Sequence, residues 1–379
     1  MLFKRTIQKY IEKNFFNEKI IVIYGARQVG KTTLLKILEK KYSDKKSLFI
    51  NCDEIDIREQ LYNATSTDLK RMFQNYEIIF IDEAQRVKNI GLTLKIAIDS
   101  MPKKQFIVTR SSSFDLANKI NEPLTGRKYE FHLYALSVQE ISQELSFFEI
   151  KRMLPNWLLF GLYPDIITNQ SKAKINLNNL IQGTLYKDVL EHQNIKHSEL
   201  LNKLLQALAF QIGQEVSYNE LSRLLKINKA TIERYIHLLE QSFIIYRLNP
   251  FSRNLRNELK KLRKIYFYDI GVRNALIGAY GSIELRNDIG ALWENFLISE
   301  RLKQNNNHIR YVKQYFWRTR KKQEIDYLEE ENFNLFAFEF KWNKKKYRTK
   351  APKAFQDAYQ NTPFEVITPD NYQKFIGLE

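Results

Sequence analysis

Cysteine is almost missing from this chain. The single Cys52 cannot close an intrachain disulfide, which excludes a disulfide-stapled scaffold and points to a reducing compartment. The five histidines stand at no zinc-ligand spacing with it. Glycine (12) and proline (8) are sparse, which excludes collagen-like and low-complexity architectures. No apolar run approaches the roughly 20 residues that span a bilayer. The opening MLFKRTIQKYIEKNFF is amphipathic and lacks a cleavage site. Together these absences predict a soluble, cytoplasmic protein with no membrane partner.

What is present is positive charge. The 379 residues carry 60 Lys and Arg against 43 Asp and Glu, a formal +17, and the sequence pI is near 9.5. That balance favours a polyanionic partner, DNA first among them, although a basic solubility-driven surface gives the same number. The length exceeds one compact core, so two or three domains are expected.

The strongest local signal is a strand-like run, KIIVIYG, followed by Gly25, Ala26, Arg27, Gln28, Val29, Gly30, Lys31, Thr32 and Thr33, and then the helical LLKILEKKY. This is G-x-x-x-x-G-K-T in its strand–loop–helix context. Backbone N–H groups of such a loop and the following helix N-terminus converge on phosphate. Lys31 would reach the terminal phosphates of ATP, and Thr32 would ligate Mg2+. A second apolar run, Glu77 to Ile81, leads into Asp82-Glu83-Ala84-Gln85. Carboxylates at the carboxyl end of a buried strand lie where open parallel sheets bind ligands. Asp82 is therefore expected to support Mg2+, and Glu83 to orient the attacking water.

Further strand runs at Ser47–Asn51 and Gln105–Thr109 alternate with helical segments and predict a parallel α/β domain. The polar end Thr109-Arg110-Ser111-Ser112-Ser113 sits where a γ-phosphate sensor would lie, and Ser111 is the candidate. Arg127, in LTGR before a strand at 129–133, is a candidate phosphate contact in its own or a neighbouring subunit. Contact from a neighbour would imply a homo-oligomer, a ring or a dimer.

GARQVGKT, IIFIDEAQ, SSSFDLANKI and LTGRKYEFHLYALS together resemble the bacterial and archaeal AAA-type ATPases that join an N-terminal P-loop domain to a C-terminal domain of unknown function. The resemblance covers nearly the whole chain and implies Mg2+-dependent ATP binding and hydrolysis. Two positions depart from the family's usual reading: Arg110 replaces a glycine before the serines, and Ala135 replaces a proline before Leu136-Ser137.

Residues 137–198 read as a helical lid. Residues 199–250 read as three helices and a strand in an order that resembles a winged helix-turn-helix. Asn228, Lys229, Thr231 and Arg234 would then start a recognition helix facing DNA, while Leu221, Leu224, Leu225, Ile232, Ile236 and Leu239 have the spacing of core. A connector that touches no DNA is the competing reading. The basic runs Arg253–Lys264 and Lys344–Lys350 are candidate phosphate contacts or solvated charge.

In the remaining part, Asp326 precedes Glu339-x-Lys341 across a turn at 330–334, and Glu339 and Lys341 share one strand face. On spacing alone this is a salt-bridged strand pair. It also resembles the core of restriction-endonuclease-like nucleases, a resemblance that implies Mg2+ on the carboxylates, a lysine assisting the nucleophile, and Glu294 as a further carboxylate.

The fold expected is α/β: a P-loop NTPase (AAA-type) parallel-sheet domain (1–136), a helical lid (137–198), a winged helix-turn-helix (199–250) and a restriction-endonuclease-like domain (251–379). The function expected is an ATPase that binds DNA, branched forms included, and remodels or cleaves it. Its rival is an ATP-controlled switch with an inactive nuclease-like platform, toward which Arg110 leans.

Overall fold

A computed structural model of the chain describes residues 2–111, 124–185, 198–252, 263–343 and 349–378. It divides into two compact units, one of residues 2–135 with 241–243, the other running from Leu136 to Glu240 and again from Ile244 onward. Ser112, Ser113, residues 253–262 and residues 344–348, which hold parts of the sensing loop and of the two basic runs, lie outside the described residues.

The first unit grows from five runs rich in β-branched and aromatic side chains. They form β1 (Ile20–Tyr24), β2 (Ser47–Asn51), β3 (Ile78–Asp82), β4 (Gln105–Arg110) and β5 (Lys128–His132). The sheet has the order β2-β3-β4-β1-β5, and every neighbouring pair is parallel. β1, β3 and β4 are buried from end to end. Continuous apolar runs, rather than alternation, are what strands covered on both faces require. Helices α1 (Gln8–Glu12), α2 (Lys31–Lys41), α3 (Ile55–Leu61), α4 (Ser66–Phe73) and α5 (Ile90–Ser100) accompany the strands. Thr65 and Asp68 form a reciprocal capping box at the start of α4, an arrangement worth about 1 kcal/mol.

The second unit opens with α6 (Val138–Ile141), α7 (Phe147–Phe160), α8 (Pro164–Thr168) and α9 (Ala173–Leu180). There follow α10 (Ser198–Phe210), β6 (Glu215–Val216), α11 (Tyr218–Leu225), α12 (Lys229–Gln241), β7 (Ile245–Pro250) and β8 (Arg263–Phe267). β8 pairs antiparallel with both β6 and β7. Leu221, Ile232, Ile236 and Leu239 are buried as their spacing predicts, but Leu224 is 62% exposed. It lies beyond the edge of the narrow α11 stripe that Tyr218 and Leu221 bury, so its assignment to the core is corrected.

After α13 (Ile270–Leu276) comes α14 (Ile289–Asn307), then the antiparallel strands β9 (Lys313–Arg318), β10 (Glu324–Glu331) and β11 (Asn334–Phe340), α15 (Lys353–Ala358), β12 (Phe364–Ile367) and α16 (Tyr372–Phe375). β12 runs parallel to β11, and β9 runs parallel to β7. One seven-stranded sheet, β12-β11-β10-β9-β7-β8-β6, therefore carries both halves of the unit. The β10–β11 turn is Asn332-Phe333, with φ of 50° and 66°, the positive pair that a tight two-residue hairpin demands. No described helix is long and apolar enough to cross a membrane.

α14 is buried on most sides and is pinned to β8 by one side chain. Asn295 accepts from the Phe267 N–H at 2.8 Å and donates to the Phe267 carbonyl at 2.9 Å. That clamp sets the residue before it, Glu294, beside β8. β10 carries a register shift between Ile325 and Leu328. Such a bulge re-aims the residues it contains, here Asp326.

Candidate functional site

The P-loop leaves β1 at Gly25 and re-enters helix at Lys31. A Cβ on Gly25 would stand 2.1 Å from the Leu133 carbonyl oxygen, and Gly30 has φ of 100°; only glycine meets both conditions without strain. Arg5 fixes the loop from outside by donating to the Val29 carbonyl and the Tyr134 carbonyl, each at 2.7 Å. Lys31 is buried, and its Nζ donates to the carbonyls of Gly25 (2.9 Å) and Ala26 (3.0 Å). It also lies 3.8 Å from Glu83 Oε1.

Asp82 is the hub. Its Oδ2 accepts from Thr32 Oγ1 at 2.6 Å, and its Oδ1 accepts a very short hydrogen bond from Thr109. Thr109 Oγ1 accepts in turn from the Glu83 N–H at 3.0 Å, and Glu83 itself holds φ of 52°. A non-glycine residue in that region persists only where its surroundings over-determine it. Gln85 joins this group. Its Nε2 donates to Glu83 Oε2 and, at 2.7 Å, to Ser111 Oγ, while its Oε1 accepts from the Ser111 N–H at 3.2 Å. Beside Asp82, burial pushes the Cys52 thiol up to about 12, and the Asp82 carboxylate adds to the effect.

Lys31, Thr32, Asp82, Glu83 and Ser111 are thus brought together, as the sequence predicts. Thr109 and Gln85 were missed. Thr109 stood two residues before the nominated serine, on the strand face that period-2 alternation assigns to Asp82. Arg127 is not brought to the site, and its expected contact with phosphate in its own subunit is corrected. It immediately precedes β5, where its carbonyl accepts from the Ile20 N–H, at the opposite end of β1 from the P-loop. Its guanidinium pairs with Asp99 at 2.6 Å.

Arg110 does not share the strand face of Thr109 and Asp82 either. In register it sits beside Tyr24, whereas Thr109 faces Asp82 one residue earlier, and successive strand residues take opposite faces. Its buried guanidinium meets Tyr24, which also donates to Glu130 at 3.2 Å. Burial lowers the Arg110 pKa, and Tyr24 and Glu130 oppose that.

A second cluster lies in the other unit. Glu294, Asp326, Glu339 and Lys341 do converge, and three further residues join them, among them Lys264, whose reading as the end of a phosphate-facing or solvated basic run is corrected because it is buried against carboxylates. Lys264, on β8, donates to Glu294 Oε1 at 3.0 Å and makes a very short contact with Glu324 Oε1. Tyr266 donates to the same Glu294 oxygen. Asp326 Oδ2 accepts from the Phe340 N–H at 2.8 Å, and Lys341 pairs with Glu339 at 2.7 Å. Glu324 also meets Arg318 at 3.4 Å. Burial pushes Glu294 up to about 7 against the pull of Lys264, with Asp326 adding to the rise. Burial likewise raises Asp326 and Glu339. Lys264 ends above the ordinary lysine value, because Glu294, Asp326 and Glu324 outweigh its burial. Each carboxylate is already matched by an ammonium, a guanidinium or a backbone donor. No group of three or more His, Cys, Asp or Glu among the described residues is arranged to hold a metal ion. The residues as placed do not fit Mg2+ here.

On α12, Asn228 caps the helix by accepting from the Thr231 N–H at 2.7 Å. Lys229 pairs with Glu233 at 3.6 Å, and Arg234 lies over the Tyr235 ring, its Cζ 5.5 Å from the centroid. Asn228, Lys229 and Arg234 are exposed and Thr231 is half-buried.

Three family descriptions match the chain: an AAA domain over residues 17–142, a domain of unknown function (DUF8612) over 151–282, and a domain of unknown function (DUF4143) over 289–373. With the parallel sheet and the P-loop geometry, the first match defines an AAA-type domain with an ATP-binding P-loop. Among curated proteins the chain is similar to an uncharacterized protein of Methanocaldococcus jannaschii, 26% identical, covering 99% of this chain and 90% of that protein. It is also similar to an uncharacterized protein of Mycobacterium tuberculosis, 26% identical, covering 85% and 70%. Solved structures with partial likeness include AMPPCP-bound DnaA from Aquifex aeolicus (16% identical, 62% and 86% covered, TM-score 0.31) and the Bacillus subtilis DNA clamp loader delta protein (12% identical, 77% and 97% covered, TM-score 0.30).

Proposed function

We propose that this protein is a Mg2+-dependent ATPase whose nucleotide state controls its grip on DNA. The observation that carries the proposal is the meeting of Thr32 and Asp82 at 2.6 Å, with Lys31 and Glu83 at 3.8 Å alongside. A hydroxyl and a carboxylate converging as hard oxygen donors fit Mg2+, so Thr32 and Asp82 are the residues that would hold it. An ion held there would supply positive charge that offsets the charge of the nucleotide's phosphates. The loop from Gly25 to Thr33 supplies backbone N–H groups to the phosphates. Lys31, now bonded to two loop carbonyls, gains a stronger acceptor in a phosphate oxygen. Glu83 orients the attacking water, and Ser111 meets the γ-phosphate. Arg127 reaches nucleotide only if a neighbouring subunit presents it, in a ring or a dimer.

For DNA we read residues 199–250 as a winged helix-turn-helix. The helix–strand–helix–helix–strand order supports this, as do the exposed Lys229 and Arg234 at the start of α12. Residues 137–198 serve as the lid, and residues 251–379 as a restriction-endonuclease-like domain, whose helix, three-strand meander, helix and parallel strand match that reading. The alternative within this scheme, an ATP-controlled platform that does not cut, is favoured by Lys264 standing among the carboxylates. Glu83→Gln tests the nucleotide half. It is expected to keep the parent's affinity for a fluorescent ATP analogue while phosphate release falls at least 10-fold; unchanged release would remove Glu83 from the mechanism.

A further inference from the structure

We infer that the buried Lys264 is the resident cation of the half-buried carboxylates Glu294, Glu324 and Asp326, and that this set takes no divalent ion while the lysine is in place. Lys264 is 1% exposed, and an ammonium at that depth stays charged only where carboxylates repay its lost hydration. Glu294 and Glu324 do so by direct contact.

The lysine is held in position by its strand. β8 pairs Lys264 with Leu248 on one side and Glu215 on the other, which fixes the backbone from which its stem reaches the carboxylates. Tyr266, two residues along and on the same face, donates to the Glu294 oxygen that Lys264 also contacts. The Asn295 clamp on Phe267 fixes Glu294 from the helix side. The remaining carboxylates are engaged too: Asp326 with the Phe340 N–H and Glu339 with Lys341. Mg2+ gives up its water reluctantly and requires converging oxygens. Here it would have to enter beside a fixed positive charge and strip acceptors from it. The Mg2+ requirement of the protein then belongs to Thr32 and Asp82, and the carboxylate set shapes its unit without cutting. This inference does not depend on ATP being hydrolysed.

The test is an Mn2+ titration of the nucleotide-free full chain, read by the loss of the free-ion paramagnetic resonance signal. It compares the parent with Asp326→Asn, and adds thermal unfolding of parent and Lys264→Met with and without Mn2+. Parent and Asp326→Asn should bind the same amount of Mn2+. Lys264→Met, which leaves three carboxylates around an apolar tip, should unfold below the parent, and Mn2+ should raise its unfolding temperature by more than it raises the parent's, whose own shift comes from Thr32 and Asp82. A parent Mn2+ site that Asp326→Asn removes overturns the inference, and so does a folded Lys264→Met protein that Mn2+ stabilises no more than the parent. If Lys264→Met does not fold, the comparison of parent with Asp326→Asn decides alone.

Discussion

Thr32 and Asp82 meet through a 2.6 Å hydrogen bond although 50 residues separate them in the chain. β4 lies between β1 and β3 in the sheet, and the pair closes because parallel strands deliver their following loops to one edge. Replacing Asp82 by Asn keeps an acceptor for Thr109 but removes the charge proposed to support Mg2+. Phosphate release should fall by ~10²-fold or more, the scale on which preorganised charge stabilisation acts, and Mn2+ in place of Mg2+ should not restore it. A variant within threefold of the parent would separate Asp82 from catalysis.

Gln85 carries the second prediction. It touches both Glu83, proposed to orient the attacking water, and Ser111, proposed to meet the γ-phosphate. Gln85→Ala should lower kcat by roughly 10-fold or more, since a displaced catalytic group is costly, and should leave KM near the parent value. The kinetic split is the diagnostic: a matched rise in KM would mark Gln85 as a binding residue instead.

How much of this was legible beforehand follows from the range of each interaction. The P-loop and Asp82-Glu83 announce themselves because strand, loop and helix are consecutive, and local spacing carries the geometry. Gln85 sat inside the same motif but had no role until β4 brought Ser111 beside it. Lys264 read as the end of a basic run, because its partners Glu294 and Glu324 lie 30 and 60 residues further on and only the β7–β9 pairing unites their strands. Arg127 misled because a phosphate-contact reading fits any arginine before a strand, and sequence does not say which end of the sheet that residue occupies.

Arg110 offered the sequence-level argument against turnover, and its position answers it. Because it packs with Tyr24 and Glu130 on the face away from Asp82, Arg110→Ala should leave kcat within about twofold. It should instead cost roughly 1–3 kcal/mol of stability by removing a buried side chain that packs against Tyr24. Denaturant unfolding of the nucleotide-free protein measures the second effect, and steady-state phosphate release the first. Lost turnover at full stability is the opposite pattern.

The α12 reading is tested by salt. Lys229→Ala and Arg234→Ala should each weaken duplex binding across all sequences and reduce the slope of log affinity against log salt by about 1. Asn228 caps its helix, so Asn228→Ala should cost stability, about 1 kcal/mol, whether or not DNA binds there. Slopes unchanged in both basic variants would remove this helix from the DNA-binding surface.

The central claim, ATP turnover coupled to DNA, is tested most directly by steady-state phosphate release with Mg2+, measured alone and with single-stranded, duplex and branched DNA, for parent and Lys31→Ala. Basal release by the parent should be stimulated several-fold by at least one DNA form and abolished in Lys31→Ala. Tight ATP binding by the parent with no release above the Lys31→Ala background, whatever DNA is added, would contradict it.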